Sequence, residues 1–346
     1  MKTSTAPPAD LQVAWPASEM EFVGNCPYCG GTENKSAYGE VQDWAFSCAP
    51  GRWTYLDCAG CGSLYLHQRP TERSIAKAYA SYYTHGQASH QGAMTSLKLR
   101  LRHEVWSHAM GVSIPPRLNL PSWAGRGLQP LQSSIVEPFG LRQMARLPKG
   151  LLIDVGCGDG QKLELASNLG WKAIGLELAG AADTAARARG LQVREGGYAL
   201  LADYAGQADC IVCSHVLEHV HRPLHLLHRL LSTLKHGAVL LLSTPNASSY
   251  LRHHYGANWR GLEAPRHLAI ASSTWLQNWL EGQGLQCTQV QSFDLECAVE
   301  SERIARRDDA ASALDERSAK QLLARLPKPT LAHQDAMQLV CVKTVP

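Results

Sequence analysis

Residues 151–160 read LLIDVGCGDG. Leu151 to Val155 is an apolar run of strand length, and the glycines at 156, 158 and 160 end it in a turn. The next ten residues, QKLELASNLG, read as a helix. The segment thus predicts a buried strand that runs through a glycine-rich loop into a helix.

The same alternation continues outward. WKAIGLELAG reads as a second strand with Glu177 at its carboxyl end, AADTAARARG as a helix and LQVREGG as a third strand. ADCIVCSHV is a fourth strand, RPLHLLHRLLSTLKHG a helix with Pro223 at its start, and AVLLLSTPN a fifth strand. SSTWLQNWLEGQG is a helix with a Ser/Thr cap, LQCTQVQSF a sixth strand and AMQLVCVKTV a seventh. Alternation of this kind predicts an α/β fold with a doubly wound, Rossmann-like parallel sheet. Ligands of such sheets sit beyond the carboxyl ends of the strands.

The loop narrows the ligand. A dinucleotide fingerprint is GxGxxG, whereas Gly156-Cys157-Gly158-Asp159-Gly160 is GxGxG, preceded by Asp154. A carboxylate is a poor neighbour for a pyrophosphate and a good one for a cationic amine and a sulfonium. Glu177 can accept hydrogen bonds from ribose hydroxyls. The two carboxylates fit S-adenosylmethionine better than a nicotinamide dinucleotide.

The N-terminal part carries a different signal. CPYC (26–29) and CAGC (58–61) are two C-x2-C knuckles flanked by glycines. Two knuckles offer four thiolates to one tetrahedral Zn2+, so Cys26, Cys29, Cys58 and Cys61 are the expected ligands of a structural zinc. Four protein ligands leave no open position for catalysis. Between them, DWAFSC and RWTYLDC look strand-like, and Cys48 stands as a spare thiol. Cys210, Cys213 and Cys341 lie singly in apolar runs and read as buried small hydrophobes, with no disulfides expected.

Composition sets outer bounds. Hydrophobic residues make up 45% and charged residues 18% of 346, the balance of a globular chain of about two units. Lys+Arg 33 against Asp+Glu 30 gives no support to binding nucleic-acid phosphates. Residues 21–62 hold only Lys35 and Arg52 against Glu21, Glu33, Glu40, Asp43 and Asp57, so RNA is disfavoured as a partner of the cysteine module. No apolar run spans a bilayer, and the first residues do not read as a signal peptide, so no membrane and a cytoplasmic location are expected. The expected organisation is a tail (1–20), a zinc module (21–70), a helical connector or lid (71–147) and an α/β domain (148–346) with a charged helical insertion at about 295–334. Tyr82, Tyr83 and His85 form an aromatic cluster in the connector, either packing between domains or covering a ligand.

In LIDVGCGDG, the acidic end of IGLE and ADCIVCSHVLEHVHRP, residues 148–290 resemble the class I S-adenosylmethionine-dependent methyltransferases. STPN followed by RGLEAPRHLAIAS is similar to a segment of the branch near the ubiquinone-biosynthesis O-methyltransferases, some of which join a cysteine-rich module to this fold. The resemblance implies a seven-stranded sheet and methyl transfer to an O, C or N nucleophile of a small biosynthetic intermediate. It implies cofactor binding by Asp154, Gly156, Cys157, Gly158, Gly160 and Glu177, with Ser214 and His215 beside the cofactor. The adenine-contacting position falls near Gly196 to Tyr198, where this chain has no acid.

Histidine is the natural base near neutral pH. His219 follows the fourth strand and His267 the fifth, which makes both candidates for acceptor binding or proton removal. Glu218 either orients a histidine or stands as a solvated acid. His221, His225 and His228 read as an exposed helix face, and Trp259 and Arg260 either line an acceptor pocket or pack as a lid. A homodimer is one use for the charged insertion. The rival readings are a modifier of RNA or protein that grips its target with the zinc module, and a non-catalytic scaffold of the same fold.

Overall fold

The protein is described here by a computed structural model, in which residues 11–79, 94–121, 123, 127–128, 137–178, 186–291, 295–307 and 330–344 are described. The tail before residue 11, the Tyr82, Tyr83 and His85 cluster and the insertion from 308 to 329 lie outside these residues.

The N-terminal strands are β1 (Met20–Phe22), β2 (Asn34–Val41), β3 (Trp53–Cys58), β4 (Leu64–Leu66) and β5 (Gln68–Pro70). They are followed by β6 (Leu151–Val155), β7 (Lys172–Glu177), β8 (Val193–Glu195), β9 (Ala208–Ser214), β10 (Leu234–Pro245), β11 (Ala269–Ile270), β12 (Leu285–Val290) and β13 (Ala336–Lys343). The described α-helices are α1 (Met94–Met110), α2 (Leu141–Arg146), α3 (Gln161–Asn168), α4 (Pro223–Thr233), α5 (Tyr250–Tyr255), α6 (Ser273–Gly282) and α7 (Leu295–Arg306).

Seven strands form one sheet in the order β12-β13-β10-β9-β6-β7-β8. β6 pairs in parallel with both β9 and β7, and β7 in parallel with β8. Leu152, Ile153, Asp154 and Val155 are all buried, as expected of a strand covered on both faces. α6 starts where the sequence signals it, with the Ser272 hydroxyl accepting from the Trp275 N–H.

The chain divides into two compact units. One comprises Tyr83–Ser214, Arg229–Leu241 and Val340–Pro346. Its core gathers Trp106, Met144, Leu152, Leu163, Trp171 and Leu241. The Trp171 indole donates to the Met144 carbonyl at 2.8 Å, which satisfies the one polar atom of a buried ring.

The other unit comprises Met1–Tyr82, His215–His228 and Leu242–Leu339. Its own sheet has the order β11-β4-β3-β2 and is antiparallel throughout. β11 comes from the segment after β10, so the cysteine-bearing strands and residues 260–272 fold together. Tyr28 donates to the Ala269 carbonyl at 3.1 Å. The Tyr55 hydroxyl lies 2.5 Å from the Leu262 carbonyl and 2.7 Å from that of His267.

DWAFSC is a turn and not a strand. The Asp43 carboxylate draws in the N–H groups of Phe46, Cys48 and Ala49, giving the backbone local partners in place of a ladder. The same carboxylate takes two bonds from the Arg266 guanidinium, at 2.5 and 2.9 Å. Both side chains are fully buried. Arg266 also reaches Glu263 at 3.0 Å and the Ala78 carbonyl at 3.2 Å.

The expectation of no disulfide fails in one place. Cys287 on β12 and Cys341 on β13, two neighbouring strands, are disulfide-bonded. Cys210 and Cys213 are buried and outside any disulfide, as expected.

Removing one partner of a buried ion pair leaves an uncompensated charge. Arg266→Met is therefore expected to cost about 3–5 kcal/mol in urea unfolding. Arg52→Ala, which breaks an exposed pair with Glu40, should cost at most about 1 kcal/mol. Equal effects of the two variants would contradict this account of the network.

Candidate functional site

The glycine loop follows directly from β6. Gly156, Gly158 and Gly160 have φ of 66°, 55° and 80°, left-handed values that side chains resist. At Gly160 a Cβ would also come within 2.6 Å of Leu191 Cδ1. Gly156 N–H donates to the Leu176 carbonyl at 2.8 Å, which ties the loop to the neighbouring strand. Cys157 turns its side chain inward, where it occupies the space a Cβ at Gly175 would need. Only the backbone of Cys157 is thus left to a ligand of the loop.

Two carboxylates bracket the loop. Glu177 accepts from the Gly158 N–H at 2.7 Å and from the Leu178 N–H at 2.8 Å, one bond on each oxygen. A carboxylate has about four acceptor positions, so roughly two remain for ligand hydroxyls. Asp154 is buried, and burial pushes its carboxyl up to about 7, with Lys162 opposing the shift and Glu177 adding to it. A cationic ligand group beside Asp154 would relieve that cost.

The four knuckle cysteines come together. Cys26 Sγ is 3.6 Å from Cys61 Sγ, and Cys29 Sγ is 3.4 Å from Cys58 Sγ, with all four sulfurs within 4.8 Å of one another. A tetrahedral zinc with Zn–S near 2.3 Å requires sulfur separations of about 3.8 Å. The donor set and its spacing fit that ion.

A third cluster forms where the segment after β9 meets the segment before β11. Ligand atoms of Glu218, His219 and His267 lie within 4.8 Å of one another. The two imidazoles are 4.7 Å apart between centroids, edge to face. His267 is buried, and its Nδ1 is 2.7 Å from the Gly261 carbonyl. His219 Nδ1 is 3.1 Å from the Arg266 carbonyl and 3.0 Å from the Tyr79 hydroxyl. A carbonyl only accepts, so each Nδ1 carries a proton.

Glu218 is fully buried, not solvated. It accepts from the Thr244 hydroxyl at 2.9 Å, and its other oxygen is 3.2 Å from His215 Nδ1. Burial penalises its charge, but the hydrogen bond with His215 prevails and holds the carboxyl at about 2. Burial pushes the imidazole of His267 down to about 4, against the pull of Glu263. Glu263 stays ionised despite its burial because the guanidinium groups of Arg260 and Arg266 lie against it. His215 and Glu263 both have positive φ, 56° and 38°, an uncommon backbone for such residues that gathers around this cluster.

Ser214 ends β9, and His215 follows it with its side chain about half exposed. His221 bonds to the Pro70 carbonyl at 2.9 Å, while His225 and His228 are exposed on α4, so these three are not brought together. Trp259 is buried, and its indole donates to Asp335. The residues missed from sequence are Tyr79, Asp43, Glu263 and Arg266. Asp43 and Arg266 are 223 positions apart, and no local pattern marks either.

Residues 134–290 match the sequence profile of a family described as a methyltransferase domain. Together with the sheet and the glycine loop, this makes the chain a class I methyltransferase by fold. A ubiquinone biosynthesis O-methyltransferase from Xanthomonas axonopodis pv. citri is 30% identical over 171 residues, 46% of this chain and 68% of that one. The chain belongs to the methyltransferase family that includes this relative. A second, from Xanthomonas campestris pv. campestris, is 34% identical over 107 residues, 29% of this chain and 45% of that one. The chain thus spans a little under half the length of the first curated relatives it matches. A solved SAM-dependent methyltransferase from Archaeoglobus fulgidus is similar at 18% identity and a TM-score of 0.40, over 56% of this chain and 86% of that one. Among the described residues, no helix is long and apolar enough to cross a membrane.

Asp154 holds its proton more tightly in the folded than in the unfolded chain. Its ionisation therefore opposes folding increasingly as pH rises from about 4 to about 7, and by a constant amount above that. Asp154→Asn removes this cost. In the ligand-free protein, its stability relative to wild type should rise by about 3 kcal/mol between pH 5 and pH 8 in urea titrations. A pH-independent difference would contradict the assignment.

Proposed function

We propose that this chain transfers a methyl group from S-adenosylmethionine to a nucleophile, a hydroxyl oxygen in our reading, of a small biosynthetic intermediate. The observation that carries the proposal is the pair of carboxylates at the left-handed glycine loop, Asp154 buried and Glu177 with acceptor positions to spare. The cofactor supplies an electrophilic methyl group on a sulfonium. Glu177 would accept hydrogen bonds from the ribose hydroxyls, and Asp154 would stand against the positive end of the amino-acid portion. Gly156, Cys157, Gly158 and Gly160 would offer backbone only, with Ser214 and His215 on the cofactor side.

Methyl transfer is an in-line displacement, and much of its rate comes from holding the nucleophile in place. We assign that task and the handling of the acceptor's proton to the cluster around His219 and His267. Each ring is anchored at its Nδ1 by a backbone carbonyl. The names of the curated relatives favour oxygen as the acceptor atom.

We further propose a structural zinc on Cys26, Cys29, Cys58 and Cys61. It would clamp the loop before β2 to the turn between β3 and β4, and through β4 would fix β11.

Isothermal titration with S-adenosylhomocysteine tests the cofactor assignment. Wild type should bind, and Glu177→Ala should bind about 10–100-fold more weakly, the equivalent of losing charge-assisted hydrogen bonds. Absence of binding to folded wild type, or equal binding by the variant, would contradict it. Stripping the metal with a chelator should lower the Tm and shift the emission of Trp53 and Trp275, which lie in the cysteine-bearing unit. An unchanged melting curve would remove the case for a structural zinc.

A further inference from the structure

Given the proposed function, on which this assignment rests, we propose that Lys162 binds the α-carboxylate of the cofactor and selects for it. Asp154 and Lys162 would then hold the two charges of one zwitterion, the ammonium on the acid and the carboxylate on the lysine.

Lys162 stands where local rules disfavour it. It is the second residue of α3, where the positive end of the helix dipole opposes a cation. It also begins the row 162, 165, 166 and 169, the inward stripe of that helix. Leu165 and Ala166 are buried, and Leu169 packs against the same core. Gln161, Glu164, Ser167 and Asn168 are exposed on the other side. Lys162 is thus half-buried at a place where packing alone calls for an apolar side chain. A residue that breaks local rules in this way marks a functional position.

The fold sets that position at the ligand end of the sheet. β6 stands between β7 and β9, and open α/β sheets bind ligands beyond the strand ends at such a division. Asp154 is next to last in β6, Cys213 is next to last in β9, and Val155 pairs with Cys213. Lys162 interacts electrostatically with both Asp154 and Cys213, which places its ammonium on this inner side.

Acid and lysine are both uncommitted. Among the described residues, neither the Asp154 carboxylate nor the Lys162 ammonium has a hydrogen-bond or ion-pair partner. Burial raises the pKa of Asp154 and lowers that of Lys162, and each opposes the shift of the other. Arg189, a second cation at the loop, is already held by the Asp159 carbonyl at 2.7 Å and by Glu164 at 3.5 Å. A lone ammonium would meet Asp154 and leave Lys162 unmet. A ligand with both charges on one carbon meets the two together.

Isothermal titration of the full chain with S-adenosylhomocysteine and with its decarboxylated analogue, which keeps the ammonium, provides the test. Wild type should prefer the carboxylate-bearing ligand by about 10–100-fold, the worth of one charge-assisted hydrogen bond. Lys162→Met and Lys162→Gln should bind S-adenosylhomocysteine more weakly by that factor and bind the analogue as wild type does, so the preference disappears. Asp154→Asn should weaken both ligands alike. Methionine suits an apolar stripe, and thermal melting reports that the variants are folded. A lysine that serves only to keep Asp154 ionised or α3 in place would weaken both ligands equally when replaced, and that result would overturn the assignment. An unchanged preference in the folded variants would overturn it as well. Wild type that binds both ligands without preference would overturn the role of Lys162 alone, whereas folded wild type that binds neither would overturn the cofactor assignment itself.

Discussion

The cysteine-bearing unit depends on one buried charge. Arg266 is fully enclosed, and a guanidinium in that position is tolerable only if every face of it is met. Asp43 meets one edge with two bonds, Glu263 another, and the Ala78 carbonyl a third. Glu263 is a local partner three residues away, whereas Asp43 and Ala78 come from stretches distant in the chain, so meeting the charge ties those stretches together. Arg266 also places its own carbonyl against His219, and the next residue is His267. The requirement to neutralise a buried arginine thereby fixes the backbone that aims both imidazoles.

A different constraint shapes the glycine loop. Three left-handed residues in five resist side chains, and Gly175 is kept bare so that Cys157 can turn inward. The loop is bracketed by Asp154 and Glu177. One of these acids is costly to ionise and the other has acceptor positions to spare. Both properties favour a ligand that carries positive charge and vicinal hydroxyls.

Much of this was legible in the chain itself. The strands of the large sheet follow the apolar runs, and the two C-x2-C knuckles announce the four-cysteine cluster because metal spacing is local. Asp154, the glycines and Glu177 were legible for the same reason. Glu218 was not, since a single acid in a loop looks the same whether it is solvated or buried. Its role becomes visible only when Thr244 and His215 are seen around it. Asp43 read as part of a strand because its neighbours are apolar, yet its carboxylate organises a turn. Nor does anything in the sequence tell that β11 pairs with β4, because two residues carry no period. The pairing is set by contacts made across more than 200 positions, such as Tyr28 to Ala269 and Tyr55 to His267.

The most direct test of the central claim is a crystal structure of the zinc-replete protein with S-adenosylhomocysteine. The account predicts the ribose hydroxyls within hydrogen-bond distance of Glu177, and the amino-acid portion along Gly156 to Gly160 with its ammonium toward Asp154. A fully occupied ligand elsewhere in the molecule, with neither carboxylate in contact, would contradict it.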